Sequence, residues 1–205
     1  MPKRISAKTG SELFIVDNSI DDWKVSRYLR DWCELSNIFD IATGTFEIGS
    51  LLALDGEWQK VDKIRILMGD EVSRRTKKTF IEGLDQIKSK LDLSLENQKD
   101  NNPFLVGVPA IVEAIRNGKI QCKVYRKEKF HAKAYITHAR KEVVGAVALV
   151  GSSNFTYPGL YKNIELNVQI TGGQVSVLQE WFNEHWNDDN AEDIQPEILD
   201  RKSVV

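Results

Sequence analysis

Four short apolar segments follow one another in the second half of the chain, and turn-forming residues separate them. Runs of this length, bounded by glycine and polar residues, predict β-strands. The segments are residues 120–125, 131–137, 143–150 and 164–170. A helical pattern over about 174–186 follows the last of them. This clustering constrains the second half of the chain to a sheet that a helix covers.

The first half of the chain alternates between predicted strands and predicted helices. Strand patterns cover residues 12–16, 37–42 and 63–68. Ser19, with Asp22 three residues later, is predicted to cap the first helix. Further helices are predicted over 48–54 and from Pro109 to Gly118, and an amphipathic stripe from Phe80 to Leu95 predicts another. Residues 96–102 form a polar loop. The whole pattern predicts an α/β fold with a mixed β-sheet flanked by helices on both faces.

The chain has 205 residues, which suits one domain with a sizeable core. We expect that domain over residues 1–188 and an acidic tail or linker over 189–205. Cys33 and Cys122 lie in apolar runs, which indicates reduced core thiols rather than a disulfide framework. No segment approaches the roughly 20 apolar residues that cross a bilayer. We therefore expect a cytoplasmic protein without a membrane partner.

The net charge of the chain is −2, so it lacks the global basic charge of many nucleic-acid-binding proteins. A local basic face can still bind phosphates within a nearly neutral protein. Two basic clusters stand out: Arg126, Lys127 and Lys129 before the second strand of the cluster, and Arg74, Arg75, Lys77 and Lys78 at a predicted helix start. Each is either a solvated segment or a contact to a phosphate backbone.

His131 and Lys133 alternate at the start of the second predicted strand of the cluster. Successive side chains of a strand point to opposite faces, so His131 and Lys133 share one face with Tyr135 and Thr137. Two such positions lie roughly 7 Å apart along a strand. Both side chains could therefore reach the same phosphate group.

Gly151, Ser152, Ser153 and Asn154 follow the most apolar of the predicted strands. Glycine permits a tight turn, and small side chains let backbone N–H groups approach an anion. We therefore expect Gly151 and Ser153 to contact a substrate, and Ser152 and Asn154 to hold phosphate oxygens. The segment 43–46 ends another predicted strand and is a candidate for lining the same pocket.

These residue types suit attack on a phosphodiester. A neutral imidazole can attack phosphorus and form a covalent phosphoenzyme, which divides one difficult step into two. A lysine offsets the charge of the non-bridging oxygens. The leaving alkoxide needs a proton from a second group. The chain contains only three histidines, His131, His138 and His185, so a second motif would have to come from another chain.

Together these residues resemble the signature of the phospholipase D superfamily, H-x-K, then an acidic residue, then G-S-x-N. The matching positions are His131, Lys133, Gly151, Ser152 and Asn154. Residues 163–166 are similar to the family's downstream segment, in which a glutamate on a strand supports the catalytic histidine, and the resemblance gives that role to Glu165. Residues 39–46 and 65–69 resemble strands of the N-terminal phospholipase-D-like domains attached to helicase-type ATPases.

The resemblance implies a phospholipase-D/nuclease-like fold and a phosphodiesterase that needs neither a metal nor another cofactor. Family members with one motif per chain pair as homodimers. One histidine becomes phosphorylated, and the other protonates the leaving group and later activates water. We expect that division of labour between His131 and its symmetry mate.

The sequence departs from the family pattern at two places. His138 occupies the position of the acidic residue, and the gap between Lys133 and Gly151 is longer than in the compact pattern. We interpret His138 as a solvated hairpin residue. His185 lies among Trp181, Phe182 and Trp186 on the last predicted helix, and packing explains it best.

Three functions follow from these observations. The leading hypothesis is a DNA nuclease, as a module of a helicase-linked defence or restriction protein. The sequence contains no G-x-x-x-x-G-K-[ST] phosphate loop, so such a motor would lie on a different segment or chain. The first alternative is a catalytically weak nucleic-acid-binding or dimerisation module, and the second is a lipid phosphodiesterase. The lipid hypothesis has no support from membrane-contact signals, because the sequence shows no basic amphipathic helix with an exposed apolar face.

Overall fold

The strands of the protein form one mixed sheet in the computed structural model, which describes residues 14–69 and 103–194. The strands within these ranges are β1 (Ile15–Val16), β2 (Ser36–Thr43), β3 (Lys63–Gly69), β4 (Ile120–Tyr125), β5 (Lys133–Ala139), β6 (Ala146–Gly151), β7 (Asn167–Thr171) and β8 (Ala191–Asp193). Their order across the sheet is β1-β7-β6-β5-β2-β3-β4-β8.

Helices cover this sheet on both sides. In the described ranges they are α1 (Val25–Leu35), α2 (Ile48–Ala53), α3 (Pro103–Arg116), α4 (Tyr157–Tyr161) and α5 (Gly173–Asn187). Short 3₁₀ turns span Asp21–Trp23 and Trp58–Lys60. The predicted α/β class, with a mixed sheet between helices, is confirmed.

The direction of the strands brings several chain segments to one edge of the sheet. β2 pairs in parallel with β3, and β3 with β4, whereas β5 pairs antiparallel with both β2 and β6. β6 is in turn antiparallel to β7. The ends of β2, β3, β4 and β6 therefore meet the beginnings of β5 and β7. We call this boundary the His131 edge, because His131 lies just before β5.

Alternation along the strands divides the core into two layers. On one face, which we call the α1 face, Phe39, Ile41, Tyr135 and Leu149 pack with residues of α1, α2 and α3. On the other, the α5 face, Ala42, Ile136 and Ala148 pack against Val175 and Phe182 of α5. Tyr135, predicted to share a polar face with His131, is fully buried because both faces of β5 are covered.

Three predicted strands begin later in the structure than the sequence suggested, and one of them is β5, which starts at Lys133, so that His131 precedes it. Val143 is 92% exposed and lies in the turn before β6, where Gly145 has a φ of +76°. Ile164 is 75% exposed and precedes β7. Both residues carry the apolar, β-branched signal of a strand, but they lie beyond the hydrogen-bonded ladder. The strand prediction was therefore wrong at these ends.

Two predicted helix starts also differ. Ser19 does not cap α1, because its backbone N–H and its hydroxyl donate to the Asp17 carboxylate at 3.0 and 2.6 Å, and α1 begins at Val25. Asn18 instead accepts from the Val25 N–H at 2.9 Å. Pro109 lies inside α3 rather than in its first turn, because the helix already begins at Pro103.

Some predictions fall outside the described ranges. They are the amphipathic stripe from Phe80 to Leu95, the polar loop at 96–102 and the basic cluster at Arg74, Arg75, Lys77 and Lys78. At the other end of the domain, β8 pairs with β4 and so adds part of the expected acidic tail to the sheet. Cys33 and Cys122 are buried and unpaired, as predicted.

A buried ion pair joins the centre of the sheet to α5. Asp40 of β2 is fully buried, and Arg65 of β3 donates from Nε to one of its carboxylate oxygens at 2.7 Å. Gln179 donates to Asp40 at 2.9 Å, and Asn183 accepts from Arg65 at 3.0 Å. The Arg65 guanidinium also lies 5.0 Å from the ring centre of Phe182. These contacts fix the position of α5 over the sheet.

We expect Arg65→Met to lower the free energy of unfolding by about 3–5 kcal/mol, because it leaves the Asp40 carboxylate buried without its counter-charge. Urea unfolding followed by circular dichroism measures the change. The matched control is Arg27→Met, which removes an exposed pair with Asp22 and should cost about 1 kcal/mol or less. Equal losses for the two variants would contradict a structural role for the buried pair.

Candidate active site

Three segments that carry the predicted site residues meet at the His131 edge. Thr43, at the end of β2, lies opposite Lys133 at the start of β5. Ala134 lies opposite Val150, next to the end of β6. The turn after β6 also reaches back to β2, because Phe155 donates from its backbone N–H to the Thr43 hydroxyl at 3.0 Å. The sheet register therefore places His131, Gly44 and Asn154 side by side.

Lys133 and His131 are in direct contact. The Lys133 ammonium lies 3.1 and 3.2 Å from the two ring nitrogens of His131 and donates to its backbone oxygen at 2.9 Å. Lys133 is only 8% exposed, whereas His131 is exposed. The pair thus presents an accessible imidazole above a fixed and mostly buried positive charge.

The environment of Lys133 disfavours its charged form. Burial lowers the pKa of the ammonium below its ordinary value, and the negative charge of Glu165 partly opposes that effect. A lysine held in this state is a ready partner for an anion, because a bound anion would restore its counter-charge.

Gly44 and Asn154 form the wall behind the imidazole. A Cβ atom at Gly44 would lie 2.9 Å from Cδ2 of His131 and 3.4 Å from Oδ1 of Asn154, so only glycine lets the ring sit there. Oδ1 of Asn154 accepts from the Thr45 N–H at 3.0 Å. The other end of this amide, Nδ2, makes no hydrogen bond to the described part of the chain and remains available as a donor.

Ser152 and Glu165 are hydrogen-bonded to each other. The Ser152 hydroxyl donates to the Glu165 carboxylate and accepts from the Leu166 N–H at 3.0 Å. The resemblance assigned Glu165 to the support of His131, but its carboxylate bonds to Ser152, and Glu165 precedes β7 rather than lying within it. Because its hydroxyl is already paired, Ser152 is placed to hold Glu165 in position.

Ser153 is buried below the turn and is held by Asn167, a residue that the sequence analysis did not identify. Asn167 accepts from the Ser153 N–H at 3.2 Å and donates to its hydroxyl and to the Val16 carbonyl, both at 2.9 Å. The Tyr135 hydroxyl donates to the Ser153 carbonyl at 2.9 Å. We expected Ser153 to contact the substrate, but its hydrogen bonds indicate that it stabilises the turn instead.

Gly151 has a similar packing role. A Cβ atom there would lie 2.1 Å from the Leu166 carbonyl oxygen and 2.6 Å from Cα of Asn167. β6 and the start of β7 can approach this closely only without a side chain at Gly151. The glycine thereby sets the distance between the turn and the segment that carries Glu165.

The basic loop before His131 is exposed at all four of its residues, 126–129. Arg126 forms an ion pair with Glu192 of β8, and its backbone N–H donates to Asn190 at 3.0 Å. Lys127 lies close enough to Asp188 to contribute to the lowered pKa of that carboxyl, which mainly reflects a hydrogen bond from the Asn190 backbone. Lys127 and Lys129 are exposed in the loop that leads to His131.

His138 lies at the opposite edge of the sheet. Five strand positions separate it from Lys133, about 17 Å, and its Nε2 lies 2.6 Å from the Gln179 side-chain oxygen. It is half-buried against α5, so its interpretation as a solvated hairpin residue was wrong. The acidic residue that His138 replaces would therefore also lie far from His131.

No described helix has both the length and the apolar character needed to cross a bilayer. Among the described side chains, no group of three or more His, Cys, Asp or Glu residues is arranged to hold a metal ion. The candidate site at the His131 edge is formed by the His131 imidazole, the Lys133 ammonium, the Asn154 amide and the hydrogen-bonded pair of Ser152 and Glu165.

One known family matches most of the chain. Residues 41–186 match the family described as "Cardiolipin synthase, PLD-like domain". This match covers well over half of the chain, which belongs to this family of the phospholipase D superfamily. No curated protein sequence matches the chain significantly.

Several solved structures are similar to this chain at low sequence identity. Phosphatidylserine synthase from Haemophilus influenzae Rd KW20 is 12% identical with a TM-score of 0.52, over 89% of this chain and 39% of that chain. Nuc from Salmonella typhimurium, a phospholipase D family member, is 16% identical with a TM-score of 0.49, over 82% and 89%. NucT from Helicobacter pylori is 12% identical with a TM-score of 0.46, over 82% and 90%.

We expect Lys133→Met to unfold at a higher urea concentration than the wild type at pH 7. The lowered pKa means that the folded state carries an unfavourable charge wherever Lys133 is protonated. The folded state loses this proton first as the pH rises, so the advantage of Lys133→Met should shrink toward pH 10. Urea unfolding at the two pH values measures this.

The control for that comparison is Lys63→Met, because Lys63 is exposed on β3 and should change the stability by about 0.5 kcal/mol or less. A Lys133→Met protein that is less stable than the wild type at pH 7 would show that the contacts of the ammonium outweigh its burial.

Proposed function

We propose that this protein is a metal-independent phosphodiesterase that cleaves DNA through a covalent phosphohistidine at His131. The observation that carries the proposal is the Lys133 ammonium held 3.1 and 3.2 Å from the ring nitrogens of His131. Beside them lies Nδ2 of Asn154, which makes no hydrogen bond within the described residues. Lys133 thus provides a positive charge beside the proposed nucleophile His131, and the phosphodiester that His131 would attack is negatively charged. Membership of the phospholipase D superfamily supports the same chemistry.

The residues have distinct roles in the proposed reaction. A ring nitrogen of His131 attacks phosphorus, an N–P bond forms, and the bond to the leaving oxygen breaks. Lys133 and Nδ2 of Asn154 stabilise the non-bridging oxygens, on which negative charge increases. Gly44 fixes the ring from behind. Ser152 holds Glu165 near Lys133, where the carboxylate favours the protonated ammonium.

A second histidine must protonate the leaving oxygen and later activate the water that breaks the N–P bond. His138 is bound to Gln179 at the opposite edge, and His185 packs against Tyr125 and Trp181. We therefore propose that His131 of a second copy supplies this group in a homodimer whose two-fold axis passes near the site.

The surface beside the site supports such a dimer. Ile164 and Leu166 flank Glu165 and are 75% and 62% exposed. Large aliphatic side chains at the rim of a charged pocket are unfavourable in water and would be buried by a second copy. Such an apolar contact would lie beside the residues that two copies would have to bring together.

DNA is the preferred substrate class because Lys127 and Lys129 are accessible at the mouth of the site, where a nucleic-acid backbone would pass. We propose, from the sequence resemblance, that the domain acts within a helicase-linked defence or restriction protein. The position of His138 removes the argument for a catalytically weak binding module, because the missing acid would lie far from His131.

The deciding experiment compares wild type with His131→Ala on single-stranded DNA, double-stranded DNA and phospholipid vesicles in the presence of EDTA. We expect cleavage of DNA, no loss of rate with EDTA, and a decrease of at least about 10³-fold in His131→Ala. Quenching with alkaline detergent during turnover should trap a DNA fragment whose terminal phosphate is attached to His131 through an alkali-stable, acid-labile N–P bond.

The control for this comparison is His138→Gln, which removes a histidine that lies at the opposite edge of the sheet and outside the proposed chemistry. Cleavage that EDTA abolishes, or that His131→Ala retains, would contradict the histidine mechanism. Turnover of vesicles but not of DNA would assign the same site to lipids.

We expect Leu166→Glu to convert the dimer to a monomer, because two carboxylates would be buried across the two-fold axis. Light scattering after size-exclusion chromatography measures the mass. Val143→Glu changes an aliphatic residue that is even more exposed, at 92%, and lies at the opposite edge, so it should leave the dimer intact. A Leu166→Glu protein that is still dimeric would place the interface elsewhere.

A further inference from the structure

An aromatic cluster adjoins His131 on the α5 face, and the proposed chemistry does not use it. The ring of Phe130, the residue before His131, lies 5.5 Å from Tyr125 and 6.1 Å from Trp181, with Trp181 nearly parallel to it. His185, one helical turn after Trp181, lies 4.5 Å from its ring. Four rings therefore form a continuous layer beside the proposed nucleophile.

Only part of this layer is needed to pack α5 on the sheet. Phe182 is fully buried and Trp186 is 7% exposed, and these two rings cover the apolar surface beneath α5. Trp181 and His185 are only half-buried. Both rings lie near the His131 edge, because Trp181 stacks on Phe130 and His185 contacts Phe130 and Tyr125.

Neighbouring groups fix the orientation of the Trp181 and His185 rings. Nδ1 of His185 lies 2.8 Å from the Trp181 carbonyl oxygen, and Phe130 lies behind the Trp181 ring. The side chains are therefore already ordered before a ligand arrives, which reduces the entropic cost of binding.

Charge around the layer is balanced rather than strongly basic. Lys127 and Lys129 follow Tyr125 in the loop, whereas Asp188 accepts from the Tyr125 hydroxyl at 3.1 Å and from the Asn190 side chain at 2.7 Å. The aromatic surface would thus contribute mainly stacking, and the two lysines would contribute the attraction for phosphate.

We propose that Trp181, supported by Phe130 and His185, is a stacking platform for an unpaired base of a single-stranded nucleic acid whose phosphate lies at His131. An aromatic face next to cations is the combination that binds single strands, because every base offers a ring to stack upon while the backbone follows the positive charge. Bases within a duplex are already stacked and do not present their faces. This inference rests on the proposed function and identifies its substrate as single-stranded.

The test measures binding in a His131→Ala background, so that no cleavage disturbs it. The probes are fluorescein-labelled oligothymidylate, oligouridylate, a strand of abasic sites with the same phosphate number, and a DNA duplex. The variants are Trp181→Leu, which keeps an apolar contact with Phe130, and Trp181→Phe, which keeps a ring. Val177→Ala, at a 65% exposed position of the same helix, is the matched control.

We expect Trp181→Leu to weaken oligothymidylate binding about 5- to 100-fold, the range for loss of one stacked base. Trp181→Phe should restore most of the affinity, and Val177→Ala should match the parent protein. Binding of the abasic strand should be weak in the parent protein and unchanged in Trp181→Leu. Oligothymidylate should also quench tryptophan fluorescence, and Trp181→Phe should remove that quenching.

Equal affinity of the parent protein and Trp181→Leu for oligothymidylate would overturn the platform, as would a tighter complex with the duplex than with the single strand. A preference between oligouridylate and oligothymidylate assigns the platform to RNA or to DNA. Hydrolysis of bis(4-nitrophenyl) phosphate, which has no base, reports on His131 alone. Intact hydrolysis with failed stacking would therefore overturn the platform and leave the proposed function standing.

Discussion

The contact between a mostly buried ammonium and an exposed imidazole is the constraint on which the site depends. Lys133 is 8% exposed, and burial of a charge is unfavourable unless neighbouring groups compensate it. Glu165 and the His131 carbonyl supply part of that compensation, and a bound phosphate would supply the rest. The burial of Lys133 lowers the stability of the free protein and would favour the binding of a phosphate. Loss of stability in favour of function is common at binding sites.

The mixed sheet makes this contact possible. Parallel β2 and β3 end where antiparallel β5 begins, so the chain can place Gly44 directly against the imidazole. A fully antiparallel meander would connect these ends by hairpins and leave less room for a pocket. The turn after β6 then closes the site from the other side, and Asn167 fixes it from below. Position along the strands, rather than sequence proximity, therefore defines which residues meet.

The sequence was sufficient for the fold class and for the pair of His131 and Lys133, because hydrophobic periodicity and local spacing determine both. It was not sufficient where the partner comes from elsewhere in the chain. The segment 43–46 was a candidate for lining the site, but only the placement of β2 beside β5 shows that Gly44 lies against the imidazole. Asn167 is an ordinary strand residue until β7 is placed beside the motif. Ile164 and Val143 misled the strand prediction, because an apolar, β-branched side chain favours a strand without showing where the hydrogen-bonded ladder begins. The spacing of His138 could not show that it faces α5.

α5 connects the stability of the domain to the surface around the site. Gln179 and Asn183 bind the buried Asp40–Arg65 pair in the centre of the sheet, and Trp181 lies between them along the helix. Because the polar contacts fix the rotation of α5, they also determine which face of the helix reaches the His131 edge. An apolar core alone would hold the helix with less directional preference, since hydrophobic contact is non-directional. The buried ion pair is therefore best understood as the element that orients the aromatic surface beside the proposed nucleophile.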